Sequence, residues 1–252
     1  MRQRLAKLTR DQCLVLGSLV GITLLAWLYL VRMAWRMPEM GMEDAMMMAH
    51  PQGTSTQFAL TALMWAVMMV GMMVPSAMPM VLLFATVQRR QAARPRLSVA
   101  AFVAGYLFVW GAFSVAAAAL QTVLASMMLL APTMSLTSIW IGGLLFLVAG
   151  AYEFSPLKGR CLDHCRSPLA FIIAHWRSGL SGAVRMGIEH GAFCLGCCWG
   201  LMAVLVVAGA MAFGWVVAIA LVVAGEKLLP GGHWIARGGG IGLLIAGLIV
   251  AF

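Results

Sequence analysis

Long runs of apolar residues alternate along the chain with short segments that carry most of the charged residues. At a rise of 1.5 Å per residue, a helix needs about 20 apolar residues to cross a bilayer core about 30 Å thick. The pattern predicts seven such helices, at about 13–31, 58–87, 97–120, 137–154, 186–209, 212–228 and 235–252. We therefore expect an all-α fold, a polytopic membrane helix bundle that forms a single integral membrane domain over residues 1–252.

Two local features refine this division. The sequence from Gly191 to Gly225 is uncharged and too long for one span, and Gly209 and Gly214 bracket the turn expected within it. Pro75 and Pro79 lie inside the second apolar run. Proline removes a backbone hydrogen bond from a helix interior, so we expect the second helix to be kinked or broken there.

Composition and charge agree with a membrane protein. Residues of the set AVILMFWYC make up 63% of the chain and charged residues only 10%, which excludes an ordinary water-soluble domain. The net charge of +9 comes from Lys and Arg that lie between the apolar runs, so it indicates topology and not nucleic-acid binding. With the N-terminus inside, only Arg32 and Arg36 fall outside, and the positive-inside rule predicts N-terminus in and C-terminus out. This count assigns Lys158 and Lys227 to the inside surface.

The cysteines are clustered, with five of six between Cys161 and Cys198. In the fifth predicted helix, His190, Cys194 and Cys197 recur at i, i+4 and i+7 and share one face. A second group of cysteine and histidine falls in the segment after the fourth helix, which we expect to be a cytoplasmic loop. Thiolate and imidazole ligands suit Cu(I) and zinc. The predicted soft-metal ligands are Cys161, His164, Cys165, His190, Cys194, Cys197 and Cys198. The alternative is that these cysteines pack as small apolar side chains, which is our interpretation of Cys13.

Methionine is concentrated between residues 37 and 80. One group lies in the segment expected outside the membrane and comprises Met37, Met40, Met42, Met46, Met47 and Met48, followed by His50. In the second predicted helix, Met64, Met68 and Met72 recur every four residues, with Met69 and Met73 on an adjacent ridge. Neutral thioethers prefer Cu(I) to zinc, so Met64, Met68 and Met72 are predicted copper ligands, with apolar packing as the alternative. Depth along the helices places this stripe and the cysteines of the fifth helix near the same level of the bilayer.

Four ordered motifs carry a resemblance to a known family. They are the methionine-rich stretch Met64–Met80, the segment Tyr152–Pro168, the Gly-Cys-Cys-Trp at 196–199 and the Glu-Lys-Leu-Leu-Pro at 226–230. Over roughly residues 58 to 250 the chain resembles a bacterial family described as predicted metal-binding integral membrane proteins, some of them labelled copper chaperone. The resemblance implies a bound metal, a bacterial inner (cytoplasmic) membrane, and as partner a copper-dependent enzyme or a metallochaperone.

Three functions are consistent with these residues. The leading hypothesis is a membrane protein that transports, stores or delivers Cu(I), with zinc as the alternative ion. The second is a membrane thiol-disulfide oxidoreductase that uses Cys161 and Cys165 with Cys194 and Cys197, although disulfides persist mainly in oxidising compartments. The third is a structural subunit of a membrane complex. We find no serine–histidine–acid order, glycine-rich phosphate loop or zinc-protease motif, and so predict no catalytic residue.

Overall fold

The computed structural model describes residues 10–36, 55–130, 137–209 and 212–251. Their regular structure is helical, as predicted. The helices are α1 (Arg10–Arg36), α2 (Ser55–Gln91), α3 (Pro95–Ser126), α4 (Ile139–Glu153), α5 (Pro156–Arg166), α6 (Pro168–His175), α7 (Gly179–Ala208), α8 (Phe213–Leu228) and α9 (Gly232–Ala251). The methionine-rich segment from Met37 to Met48, with His50, lies outside the described residues.

Several helices are long and apolar enough to cross a membrane. Within the described residues these are α1, α2, α3, α7 and α9, and the pair α4 and α5, bent by 62°, makes a sixth if it counts as one span. Helix α8 occupies the remaining predicted run and has 16 residues. At 1.5 Å per residue it is about 24 Å long, whereas the hydrocarbon core of a bilayer is about 30 Å thick. The chain therefore has the helices of a multi-pass membrane protein.

The two prolines do not break α2. The helix continues from Ser55 to Gln91 through Pro75 and Pro79, so it is not broken at these residues. Because Pro75 has no N–H, the carbonyl oxygen of Gly71 loses its partner within the helix. The indole nitrogen of Trp27, in α1, donates to that oxygen at 3.1 Å. A hydrogen bond from a neighbouring helix thus replaces the one that proline removes.

The segment expected to be a cytoplasmic loop is instead helical, which corrects our prediction for residues 155–178. The side chain of Ser155 caps α5 by accepting a hydrogen bond from the backbone N–H of Lys158 at 3.1 Å, and Pro156 stands in the first turn. Serine as N-cap and proline at the first helical position are typical helix starts. The same Ser-Pro pair recurs where α6 begins, at Pro168. The low apolarity of α5 concealed this signal.

The turn predicted between Gly209 and Gly214 is confirmed, since α7 ends at Ala208 and α8 begins at Phe213. Gly209 has φ of +93°, a conformation that glycine adopts without steric cost. Helix α7 begins at Gly179, well before the predicted 186. The missed residues 179–185 include two glycines, Ser181 and Arg185, so hydrophobicity alone does not reveal them as helix.

Helix α7 lies in the centre of the bundle, where it packs against α3, α4, α5 and α8. Its contact with α3 is made at small residues. A methyl group at Gly187 would lie 2.0 Å from the backbone oxygen of Phe102, and one at Gly105 would lie 2.3 Å from that of Val184. Glycines at such positions allow helix backbones to touch in a membrane. This contact fixes α7, which carries four of the predicted ligands, His190, Cys194, Cys197 and Cys198.

Candidate metal centre

Sulfur atoms from three helices meet in the interior. Cys194, Cys197 and Cys198 of α7 are at most 2% exposed. The Sγ atom of Cys165, in α5, lies 3.9 Å from that of Cys197. On the other side, the Sδ atom of Met73, in α2, lies 4.0 Å from the Sγ atom of Cys198. We refer to these five residues as the sulfur cluster.

Cys161 borders the sulfur cluster from one side. It lies one helical turn before Cys165 and is 9% exposed. A methyl group at Gly196 would lie 2.8 Å from its Sγ atom. The absence of a side chain at Gly196 therefore gives Cys161 room to pack on α7 among the cysteines. All five predicted cysteine ligands thus lie in one region of the structure.

Two thiols of the cluster donate hydrogen bonds to the backbone. Within the described residues, none of the cysteines forms a disulfide. The Sγ atoms of Cys197 and Cys198 donate to the carbonyl oxygen of Cys194 at 3.1 and 2.9 Å. The S–H group is a weak donor. Little hydrogen-bond energy would therefore be lost if a thiol gave up its proton and bound a metal ion.

A buried lysine contacts the cluster, and sequence reasoning missed it. The Nζ atom of Lys227, in α8, lies 3.0 Å from the Sγ atom of Cys194 and 3.9 Å from the Sδ atom of Met73. Lys227 is only 6% exposed, whereas the charge count placed it on the inside surface. The available signal was its position at the end of an uncharged run, because ionisable residues at membrane depth are often functional.

Tyr106, in α3, completes the surroundings of Cys194. Its hydroxyl group lies 3.1 Å from the Sγ atom of Cys194 and donates to the carbonyl oxygen of Met73 at 3.1 Å. Tyr106 is 2% exposed, so this contact is shielded from water. No sequence motif connected Tyr106 with the cysteines, since it lies in a helix without other candidate ligands.

His190 lies one turn before Cys194 in a pocket of aromatic rings. Its ring centroid is 5.3 Å from that of Phe171 and 5.8 Å from that of Tyr106. The imidazole is 2% exposed, and its Nδ1 atom has no hydrogen-bond partner in the described part of the chain. A buried polar atom without a partner is rare in proteins, and here it belongs to a group that ligates soft metals.

The methionine stripe is buried beside the cysteines, but a different methionine makes the contact. Met64, Met68 and Met72 lie in the same apolar core as Cys194. The thioether that contacts a thiol is that of Met73, on the adjacent ridge of α2. The expected meeting of thioether and thiol groups therefore occurs one residue away from the predicted stripe. His164, in α5, lies outside the sulfur cluster and stacks on Phe193.

The spacing of the sulfur atoms tests whether a metal fits. Among the described residues, no three or more His, Cys, Asp or Glu side chains form a group that could hold a metal ion. At metal–sulfur bonds of about 2.3 Å, however, two sulfur ligands of one tetrahedral ion lie about 3.8 Å apart. The Cys165–Cys197 and Met73–Cys198 separations of 3.9 and 4.0 Å agree with that distance. Each of these two pairs therefore has the spacing of two sulfur ligands on one ion.

A buried ion cluster, formed by Glu153, Lys158 and Glu226, lies next to Lys227. The Nζ atom of Lys158, in α5, forms ion pairs with Glu153 and with Glu226, the latter at 2.9 Å. All three residues are at most 5% exposed, so Lys158, like Lys227, is buried and not on the inside surface that the charge count gave it. Because Glu226 precedes Lys227, the end of α8 joins the ion cluster to the sulfur cluster.

Comparison with known protein families gives a match over most of the chain. A family model described as "Copper chaperone" and named PpoB2 matches residues 62–250, which include the whole sulfur cluster and the ion cluster. No curated protein and no solved structure matches the chain.

Proposed function

The chain belongs to the PpoB2 copper chaperone family, and from this premise we propose that it binds Cu(I) as cargo in the sulfur cluster. The observation that carries the proposal is the convergence of four cysteine thiols and the Met73 thioether in a buried site. Thiolate and thioether ligands select Cu(I) among the common biological metals. Cys161 and His190 border the site and serve as additional ligands.

Charge balance favours a monovalent ion. A Cu(I) ion held by two thiolates leaves a single negative charge, and the ammonium group of Lys227 at 3.0 Å from Cys194 balances it. Zinc with the same two thiolates would be neutral and would leave the ammonium group of Lys227 without a negative partner in the sulfur cluster. An unpaired charge in the low-dielectric interior costs several kcal/mol. The buried lysine therefore supports Cu(I) over Zn²⁺ as the cargo.

The methionines of α2 extend the site along the helix. Met64, Met68, Met72 and Met73 are all buried, and their thioethers exchange a soft ion without binding or releasing protons. We assign to them the transfer of Cu(I) along α2 to or from the cysteines. The outer methionine-rich segment and a partner, a copper-dependent enzyme or a metallochaperone, would supply or receive the ion. Transport, storage and delivery all use this same site.

Competitive loading of the purified chain tests the proposal. The full-length protein in detergent, kept reduced, is offered equal amounts of Cu(I) and Zn²⁺, and its metal content is measured after gel filtration. We expect Cu(I) to be retained and zinc to be absent. Retention of zinc would make the cargo a divalent ion. Retention of neither ion, with a disulfide forming between Cys165 and Cys197 on mild oxidation, would favour the thiol oxidoreductase.

For topology we propose seven crossings of the bacterial inner membrane, with the N-terminus inside and the C-terminus outside. The distribution of Lys and Arg between the apolar runs supports this orientation, because such residues accumulate in cytoplasmic segments. A reporter fused after Phe252 is expected to be active outside. One inserted at Ala93, between α2 and α3, is expected to be active inside. Activity of both reporters on the same side would contradict the orientation.

A further inference from the structure

Two partly exposed histidines meet at the edge of the bundle, outside the sulfur cluster. The ring centroids of His164, in α5, and His175, at the end of α6, lie 6.0 Å apart with an interplanar angle of 70°. His164 stacks on Phe193 at 4.2 Å, and His175 stacks on Phe171 at 4.7 Å. Aromatic packing therefore fixes both imidazole rings, although neither ring is buried.

Backbone contacts set the tautomer of each ring. The Nδ1 atom of His164 lies 2.8 Å from the carbonyl oxygen of Arg160, and that of His175 lies 3.2 Å from the carbonyl oxygen of Phe171. A carbonyl oxygen only accepts hydrogen bonds, so Nδ1 carries the hydrogen in both rings. The Nε2 atom of each neutral ring then has a lone pair available. Metal-ligating histidines are commonly oriented by this kind of bond from the other ring nitrogen.

The histidine pair lies next to the sulfur cluster along two helices. On α7, Phe193, on which His164 stacks, directly precedes Cys194. On α5, Cys165 directly follows His164 and is itself partly exposed, and its Sγ atom lies 3.9 Å from that of the fully buried Cys197. Cys165 thus connects the exposed side of the structure with the interior of the site.

We infer that His164 and His175 form a two-imidazole docking site for Cu(I), from which the ion passes through Cys165 to the buried sulfur cluster. This inference rests on the proposed function. At metal–nitrogen bonds of about 2.0–2.1 Å, the centroids of two imidazoles on one ion lie up to about 6.4 Å apart, and the observed 6.0 Å is within that span. The ion remains Cu(I) throughout: ligands are exchanged, and a thiol that becomes a ligand loses its proton to water.

The difference in Cu(I) affinity between imidazole and thiolate gives the transfer a direction. Neutral imidazoles hold Cu(I) less tightly than thiolates, since the softer and charged sulfur is the better ligand. An ion that docks on the histidines therefore moves spontaneously to Cys165 and onward to Cys197. The pair should determine how fast the site fills and not how much copper it finally holds.

Loading kinetics test this role. A coloured Cu(I)–chelator complex is mixed with the reduced full-length protein, and the loss of colour gives the loading rate and the final stoichiometry. For the double variant His164→Gln/His175→Gln we expect loading roughly tenfold slower, in the range for losing groups that assist a metal site, with unchanged stoichiometry. The matched control is His233→Gln, which removes an exposed histidine paired with Asp163 at 2.9 Å and should leave the rate unaltered.

The outcomes separate this inference from the proposed function. If the unaltered protein takes up no Cu(I), the proposed function fails. If it takes up Cu(I) and the double variant loads equally fast, the docking site is wrong. A double variant that loses stoichiometry would place the histidines in the final site and would also overturn the docking role. Should the double variant not fold, His175→Gln alone, which keeps the stack of His164 on Phe193, is expected to slow loading.

Discussion

Replacing Cys194 and Cys197 together with serine is expected to abolish retention of Cu(I) while leaving the helix bundle folded. Serine is close to cysteine in size, and a hydroxyl group at 197 can still donate to the carbonyl oxygen that the thiol of Cys197 contacts at 3.1 Å. Hydroxyl oxygen is a hard, neutral ligand and a poor substitute for thiolate on a soft ion. The loss of affinity should exceed the roughly 10–100-fold that follows from removing a mere supporting partner of a ligand.

The measurement is the Cu(I) content of the purified variant after gel filtration, with the elution profile as the measure of folding. Cys13→Ser is the matched control, because Cys13 is an exposed cysteine of α1 outside the sulfur cluster, and its replacement should leave the copper content intact. Unchanged copper in the double variant would show that the sulfur cluster is packing. Loss of copper from Cys13→Ser as well would point to a nonspecific thiol effect.

Much of the fold was accessible from hydrophobic pattern alone. The pattern located α1, α2, α3, α4, α7, α8 and α9 because each is a long apolar run, and chain reversal at Gly209 was correctly placed. Helices α5 and α6 were missed because they are short and, in α5, polar. Their start signals, Ser155-Pro156 and Ser167-Pro168, are local and visible. Membrane spans are predicted from long apolar runs, and a short helix without such a run is therefore missed even when its start signal is present.

The site was only partly predictable, for a geometric reason. Spacing along α7 is enough to bring Cys194 and Cys197 together, since both lie on one helix. Which methionine of α2 meets them depends on the rotation of α2 against α7, and successive residues differ by about 100° around a helix. Sequence cannot determine that rotation. The predicted stripe was Met64, Met68 and Met72, and the thioether that lies 4.0 Å from a cysteine thiol is that of Met73, on the adjacent ridge.

The buried charges were the largest omission. Charge counting treats every Lys and Arg as a solvent-facing topology signal, and Lys158 and Lys227 fit that count equally well. Their burial results from contacts between α5, α7 and α8 that are distant in sequence. The two lysines have different partners, carboxylates for Lys158 and a thiol for Lys227. The consecutive residues Glu226 and Lys227 therefore contact the ion cluster and the sulfur cluster, respectively. A change in either cluster is expected to shift the end of α8 and so affect the other cluster.

Removing the cation of the buried ion cluster should destabilise the whole protein. In Lys158→Met, the carboxyl groups of Glu153 and Glu226 lose the ammonium group that both contact, while both remain in an interior from which water is excluded. Breaking a buried ion pair in this way costs about 3–5 kcal/mol, a large fraction of a typical stability of about 5–15 kcal/mol. We expect little folded Lys158→Met protein and a much lower midpoint of thermal unfolding in detergent.

Two further variants show whether charge is the cause. Arg185→Met also removes a cation from an ion pair with a glutamate, at 3.2 Å, but the arginine side chain is 65% exposed, and a surface pair contributes only about 0–1 kcal/mol. It should unfold close to the temperature of the unaltered protein. The triple variant Glu153→Gln/Lys158→Met/Glu226→Gln removes all three charges and should recover much of the lost stability, because neutral replacement of a buried ion cluster is often tolerated. If the triple variant is as unstable as Lys158→Met, the lysine acts by filling space between α4, α5 and α8, and its charge is not what the bundle requires.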